Sequence, residues 1–257
     1  MSRANVGLHE ITHIAACVEP GLRGAVMVGE VFGKGLSVAL KIPFIPVNHL
    51  AAHITSLSIN NDIDFPFLAL LVSGGHTALY RVHAWNNIQL VCQTADDAVG
   101  ECFDKVAKIL GLEYPGGVKI EKLSNEYLKT NDAKDLITFV QKPTKKDGFS
   151  YSGLKTAVLN HVNKLKQNNQ SIDVGKLCAS FQHEAIMQLV DKTKQIMRTE
   201  NIKTIGICGG VSANGYLRQQ MAHMVAELGG VVISPEMQYC TDNAAMIGAA
   251  AVLGARL

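Results

Sequence analysis

Short continuous apolar runs alternate along the chain with longer stretches of helical period, a pattern that predicts an α/β fold. Ile11 to Val18 is a short β-like run, and after Pro20-Gly21-Leu22 an apolar-periodic stretch predicts a helix from Arg23 to Leu40. Ile42 to Val47 is a second short run, whose Pro43 and Pro46 suit an edge strand or a strand end. Polar Asn60-Asn61-Asp62 ahead of Pro66 marks a subdomain boundary, dividing residues 1–62 from 63–257. Beyond it, Phe67 to Val72 is continuously apolar, and Thr77 to Val82 follows across Ser73-Gly74-Gly75, which predicts a hairpin. Ile88 to Cys92 is a third strand.

The period then becomes helical. Val99, Cys102, Phe103, Val106, Ile109 and Leu110 make one helix face, which Tyr114-Pro115-Gly116-Gly117 ends. Thr130 to Lys146 is charged and irregular, as a surface excursion would be. Helices over 152–166 and 174–199, a strand over 204–208, a helix over 214–228, a strand over 231–234 and a last helix from Asp242 complete the chain.

Composition narrows the function classes. With 47% hydrophobic and 18% charged residues the chain is globular rather than disordered or low-complexity. Lys and Arg (24) nearly balance Asp and Glu (22), a formal charge of +2, so nucleic acid held by bulk charge is excluded. A nucleic-acid partner needs a local patch or a helper subunit. Residues 1–7 lack the apolar core of a secretory signal, and the most apolar run, Ala244 to Ala255, is glycine-interrupted and shorter than the ~20 residues of a bilayer span. No membrane association is expected. Six scattered cysteines without a C-x-x-C pair read as reduced thiols, expected in the cytoplasm or an organellar matrix.

Candidate chemistry begins with three glycine turns, each read as following a strand: Leu71-Val72-Ser73-Gly74-Gly75, Tyr114-Pro115-Gly116-Gly117 and Gly209-Gly210-Val211-Ser212-Ala213-Asn214. Such turns let backbone N–H groups approach phosphate oxygens, although most glycine turns only turn the chain. Gly29 to Gly35 imitates a phosphate loop, but its spacing is one short, no Ser or Thr follows Lys34, and it lies in a helical pattern. His49-Leu50-Ala51-Ala52-His53 would place two imidazoles on one helix face within reach of one metal ion, a spacing that two unliganded histidines also satisfy. Leu50 stands where a zinc protease needs its glutamate, so peptide hydrolysis is not expected. Carboxylates come from Asp242, the expected N-cap of the last helix, and from Asp96, Asp97 and Glu101 around the start of the helix at Val99. Asp104, a turn further on, is placed to accept hydrogen bonds from a ribose or to face solvent.

In order, Asn48-His49-Leu50-Ala51-Ala52-His53, LVSGGHT (71–77), residues 96–108 with Tyr114 to Gly117, FSYSGLKT (149–156), GGVSAN (209–214) and CTDNAAMI (240–247) closely resemble the tRNA threonylcarbamoyladenosine synthase family. The resemblance implies the actin, sugar-kinase and Hsp70 fold, two related α/β subdomains around a cleft. It implies transfer of a threonylcarbamoyl group from threonylcarbamoyl-AMP to the adenosine beside the anticodon in tRNAs that read codons beginning with A. By motif, His49, His53 and Asp242 would hold one divalent metal ion, iron or zinc. Leu71, Val72, Ser73, Gly74 and Gly75 would receive the phosphate side of the donor, Asp104 and Gly117 the ribose, and Asn214 the adenine, with Glu121 where relatives often carry Asp. No covalent nucleophile is implied. The implied partners are tRNA, threonylcarbamoyl-AMP and accessory subunits, in bacteria a paralogous dimerisation partner and an ATPase.

The chain departs from that pattern in places. It has no opening G-I-E-T-S-C-D-E-T motif, and roughly the first quarter of the usual chain and the tail after the last helix are missing. Glu19 replaces a glycine, Ala51-Ala52 replaces Glu-Gly, and Val118 replaces a proline. The expectation is therefore a truncated first subdomain with an uncovered strand edge, open to a homodimer. A non-catalytic paralogue acting as a scaffold is the alternative reading.

Overall fold

The computed structural model describes residues 6–139 and 148–257. In the first sheet β1 (Ile14–Glu19) and β2 (Phe44–Asn48) pair in parallel, with α1 (Arg23–Leu40) as the crossover. The imitation phosphate loop lies inside α1. Gly33, the buried residue of that helix, faces the sheet where a Cβ would press on the Phe44 ring and on Ile14 and Ala16. The opposite face of α1 carries exposed Met27, Val28, Val31, Phe32 and Val38.

The second sheet runs β5–β4–β3–β6–β7, with β3 (Phe67–Val72), β4 (Thr77–Ala84), β5 (Asn87–Gln93), β6 (Thr204–Cys208) and β7 (Val231–Ile233). The β3–β4–β5 part is an antiparallel meander, and β6 joins β3 in parallel, Leu68 opposite Ile205 through Leu71 opposite Cys208. Every residue of β3 is fully buried, because both faces of the sheet are covered. Leu68, Leu70 and Val72 pack on one side with Phe103 and Val106 of α3 (Val99–Ile109), Val158 of α5 (Ser152–Gln167), Phe181 and Leu189 of α6 (Val174–Glu200) and Leu217 of α7 (Gly215–Glu227). Phe67, Ala69 and Leu71 pack on the other side with Ala51 and Ile54 of α2 (His49–Thr55) and with Leu57. A smaller cluster of Val47, Ala52, Met246 and Ala250 ties α2 to β2 and to the last helix, α8 (Ala244–Leu253). Thus α2 touches both sheets and fixes the distance between them. Among the described residues no helix is long and apolar enough to cross a membrane.

One expectation needs correction, and two others gain detail. Gly116-Gly117 opens a helix, α4 (Gly116–Leu128), instead of merely ending α3, because Asp104 Oδ1 accepts the Gly116 N–H at 2.8 Å. The turn therefore follows a helix, not a strand. Asp96 and Asp97 do not cap α3, whose Val99 N–H goes to Thr77 Oγ1 at 2.8 Å. Asp96 instead caps α5, accepting from Tyr151 N at 2.7 Å, Ser152 N at 3.2 Å and Ser150 Oγ at 2.6 Å. Asp97 joins Lys105 and Lys155 at 2.7 and 2.6 Å. The surface excursion is anchored where it is described: Phe139 is buried and Ile137 N–H donates to Ser180 Oγ at 2.9 Å; residues 140–146 lie outside the described residues.

Two predictions follow from this packing. Gly209 has φ +88°, and a Cβ there would run into the Val72 carbonyl, so Gly209→Ala should lose roughly 1–3 kcal/mol in urea unfolding. Gly210→Ala, with open space around it, should stay within about 0.5 kcal/mol. Burial raises the Asp96 and Asp97 carboxyls, but their hydrogen bonds outweigh it and hold both below the usual range. Their stabilisation is therefore complete above the unfolded value of about 3.9 and is lost as pH falls through the folded value. Asp97→Asn should be less stable at neutral pH yet show a flatter loss below about pH 4 when acid unfolding is followed by circular dichroism.

Candidate active site

The site begins where β2 turns into α2. Asn48 caps the helix, its side-chain oxygen accepting from Leu50 N at 2.9 Å and Ala51 N at 3.1 Å, so His49 and His53 stand one turn apart. Their ring centroids are 4.7 Å apart, edge to face. The cap of α8 is Asn243, not the expected Asp242: Asn243 Oδ1 accepts from Met246 N at 2.9 Å, and its amide donates to Thr241 O at 2.8 Å. Relieved of capping, the Asp242 carboxylate turns to the histidines, Oδ1 lying 3.2 Å from His53 Nε2 and 3.5 Å from His49 Nε2.

These three side chains bring their ligand atoms within 4.8 Å of one another. His53 is buried, and burial together with the His49 imidazole pulls it down to about 4 although Asp242 opposes the shift. At neutral pH it is therefore a neutral imidazole. Its Nδ1 is buried without a hydrogen-bond partner among the described residues, which leaves Nε2, aimed at Asp242, as the working nitrogen. Metal–ligand bonds of about 2.0–2.2 Å set neighbouring donor atoms roughly 3.0–3.5 Å apart, which the two histidine–carboxylate separations match. His76, which sequence reasoning passed over, is half-buried near His49, and its pKa is lowered by burial and then by that neighbour.

Beside the triad a cavity of about 300 Å³ gathers Gly74, Asp104, Gly117, Glu121 and Asn214 from four separate segments. Its first wall is the Ser73–Gly75 turn, closed by Ser73 Oγ, which accepts from Gly75 N at 3.3 Å and His76 N at 3.0 Å. The start of α3 abuts this turn, Gly100 N–H donating to Ser73 O at 3.3 Å, so the positive end of the helix meets the glycines. Glu121 Oε1 accepts from Gly215 N at 2.7 Å and ties α4 to the start of α7. Asn214 is bound at both ends, to Leu217 N at 2.9 Å and to Gln182 Oε1 at 3.0 Å, and Gln182 in turn reaches Ser124. That leaves Asn214 with one spare amide hydrogen.

Leu71 and Val72 do not line the cavity; their side chains lie in the two cores, and only their strand's end leads to it. Sequence reasoning named the two turns that hold Tyr114 and Gly210 and quoted Thr241 within the 240–247 motif without a site role; Thr241 completes the wall. Thr241 joins the two halves of the site, because the next residue is Asp242 of the triad.

Residues 1–249 match the family model for tRNA N6-adenosine threonylcarbamoyltransferase. The chain belongs to this family. Proteins of that name from Ureaplasma parvum, Fusobacterium nucleatum and Geobacter metallireducens are 44%, 42% and 44% identical over 93%, 98% and 95% of this chain. The matched regions span 72%, 72% and 71% of those relatives. Two solved HypF structures share the fold. One, a full-length HypF in a phosphate- and nucleotide-bound form, has a TM-score of 0.69 at 14% identity, covering 95% of this chain and 39% of that one. The other, from T. kodakarensis, has a TM-score of 0.68 at 13% identity, covering 98% and 42%. The fold is the α/β architecture those two structures share, and the family's reaction is acyl transfer to tRNA. The scaffold alternative is not favoured.

Asn214→Ala should remove the α7 cap and strand the Gln182 carbonyl in a buried position. A loss of about 1–3 kcal/mol is expected in urea unfolding, and Glu121→Ala, at a more exposed bond, should cost less.

Proposed function

We propose that the cavity binds threonylcarbamoyl-AMP and that the threonylcarbamoyl group passes to N6 of the adenosine beside the anticodon in tRNAs reading codons that begin with A. The observation that carries this is the shared wall. Thr241 lines the cavity and Asp242 belongs to the triad, so an adenylate in the cavity directs its acyl end toward His49 and His53. The start of α3, held against the Ser73–Gly75 turn by the Gly100 N–H on Ser73 O, presents the positive end of the helix to the phosphate. Asp104, with Oδ2 left over from capping α4, and Glu121 stand at the ribose. Phe103 and Val118 line the cavity with apolar surface, and burying the donor against them limits its hydrolysis.

An exocyclic amine is a poor nucleophile, and the mixed anhydride supplies the activation. A carbon–nitrogen bond forms to N6, the carbon–oxygen bond to phosphate breaks, AMP leaves, and N6 gives up a proton. His49, His53 and Asp242 would hold the iron or zinc ion, which would supply Lewis-acid stabilisation of the charge that develops on the donor. No side chain attacks the donor, so no covalent enzyme intermediate arises.

Residues 1–62 and 63–257 form two subdomains around the cleft. Near-neutral charge leaves tRNA to be gripped with accessory subunits, and the exposed apolar face of α1 suits a protein partner, whether such a subunit or a second copy. Six unpaired cysteines fit a reducing compartment, the cytoplasm or an organellar matrix.

Purified protein should carry close to one iron or zinc per chain by elemental analysis, lost in His49→Ala and Asp242→Asn. With donor and tRNA transcript, mass spectrometry of the digested RNA should show threonylcarbamoyladenosine. Metal-loaded protein that binds donor and tRNA but yields none would return the scaffold reading to first place.

A further inference from the structure

The loop that carries Asp242 to the histidines is held from outside the cleft by one guanidinium. Arg218, half-buried in α7, donates from Nε to the Ser212 carbonyl at 2.6 Å and from Nη2 to the Pro235 carbonyl at 3.0 Å. The same Nη2 lies 3.2 Å from Cys240 Sγ. Ser212 belongs to the turn whose neighbours Val211, Ala213 and Asn214 line the cavity. Pro235 and Cys240 bracket the loop that ends in Thr241, a cavity wall, and Asp242, a member of the triad. One planar side chain therefore spans the adenylate side and the metal side of the site.

Its partners are informative. Among the described residues Arg218 forms no ion pair; the groups it meets are two backbone carbonyls and a thiol. A guanidinium presents its donors in a rigid fork, so it fixes the separation of the two backbones it bridges, which a flexible ammonium does not. Asp242 needs such help. Its carboxylate is 77% exposed and among the described residues pairs only with the two histidines, so its direction comes from the backbone on which it stands.

Resting on the reading of the site given above, we infer that Arg218 is a positioning residue. It touches neither donor nor metal, and it sets the Asp242 carboxylate against the adenylate cavity so that both halves act on one bound donor. Loss of the bridge should then weaken metal binding and adenylate binding together, although the residue contacts neither.

The test uses cobalt(II) as the metal probe and AMP as the adenylate probe, on the full chain. Wild type, Arg218→Lys and Arg218→Ala are compared by the visible cobalt spectrum, by cobalt and AMP titration, and by thermal melting. In Arg218→Lys the cobalt affinity should fall about 10- to 100-fold, as for other residues that orient metal ligands. Its cobalt bands should shift, and AMP should bind several-fold more weakly. Added guanidinium at low millimolar concentration should restore both in Arg218→Ala. Wild-type cobalt bands and AMP affinity in Arg218→Lys, with only the melting temperature lowered, would overturn the inference while leaving the site intact. Failure of wild type to bind cobalt would overturn the reading of the site itself, and this inference with it. Should Arg218→Ala not fold, Arg218→Lys alone decides.

Discussion

The parallel pairing of β3 with β6 is the constraint on which the rest of the structure depends. It brings the ends of two strands side by side, so that Ser73-Gly74-Gly75 and Gly209-Gly210 open at the same edge of the sheet. The approach is close enough to favour glycine at 209, whose backbone lies against the Val72 carbonyl in a conformation that side chains resist. A ligand site beyond strand ends in an α/β sheet follows from this arrangement of turns and helix starts. Here α3 and α7 begin at those two turns, and α4 closes the third side through Asp104 and Glu121.

The second requirement is that a separate element reach the same point from the other sheet. Helix α2 meets it because its faces have different partners. Ala51 and Ile54 pack on the five-stranded sheet, Ala52 packs on α8, and the histidines take the remaining edge. Ala51 and Ala52 are both fully buried, which explains small apolar residues between two polar ones. A larger side chain at Ala52 would push α2 away from Met246 and Ala250 of α8.

Much of this was legible in the chain. The continuous run Phe67 to Val72 and the hairpin after it were readable because a doubly buried strand needs apolar residues at every position, not at alternate ones. The i, i+4 histidines were readable because helical spacing alone puts them together. Less legible were the caps. Asp242 and Asn243 are both good capping residues, and which one caps depends on where His53 lies, a fact of tertiary structure. Asp96 caps a helix more than fifty residues away, and α4 starts on two glycines, which local propensity scores as a stop. Motif resemblance placed residues such as Gly117 and Glu121 where pattern alone gave no reason to look. It also drew in Leu71 and Val72, which belong to the turn's supporting strand and not to its surface.

Full burial of β3 on both faces also fixes an order of events during synthesis. Its partner β6 comes far later in the chain; Leu70 and Cys208, which touch across the pair, are 138 residues apart. At a translation rate of about 5–20 residues per second, the β3–β4–β5 meander waits on the order of ten seconds with one apolar edge bare before β6 leaves the ribosome. Throughout that interval the strand that later anchors the whole site is the segment most open to pairing with another nascent chain.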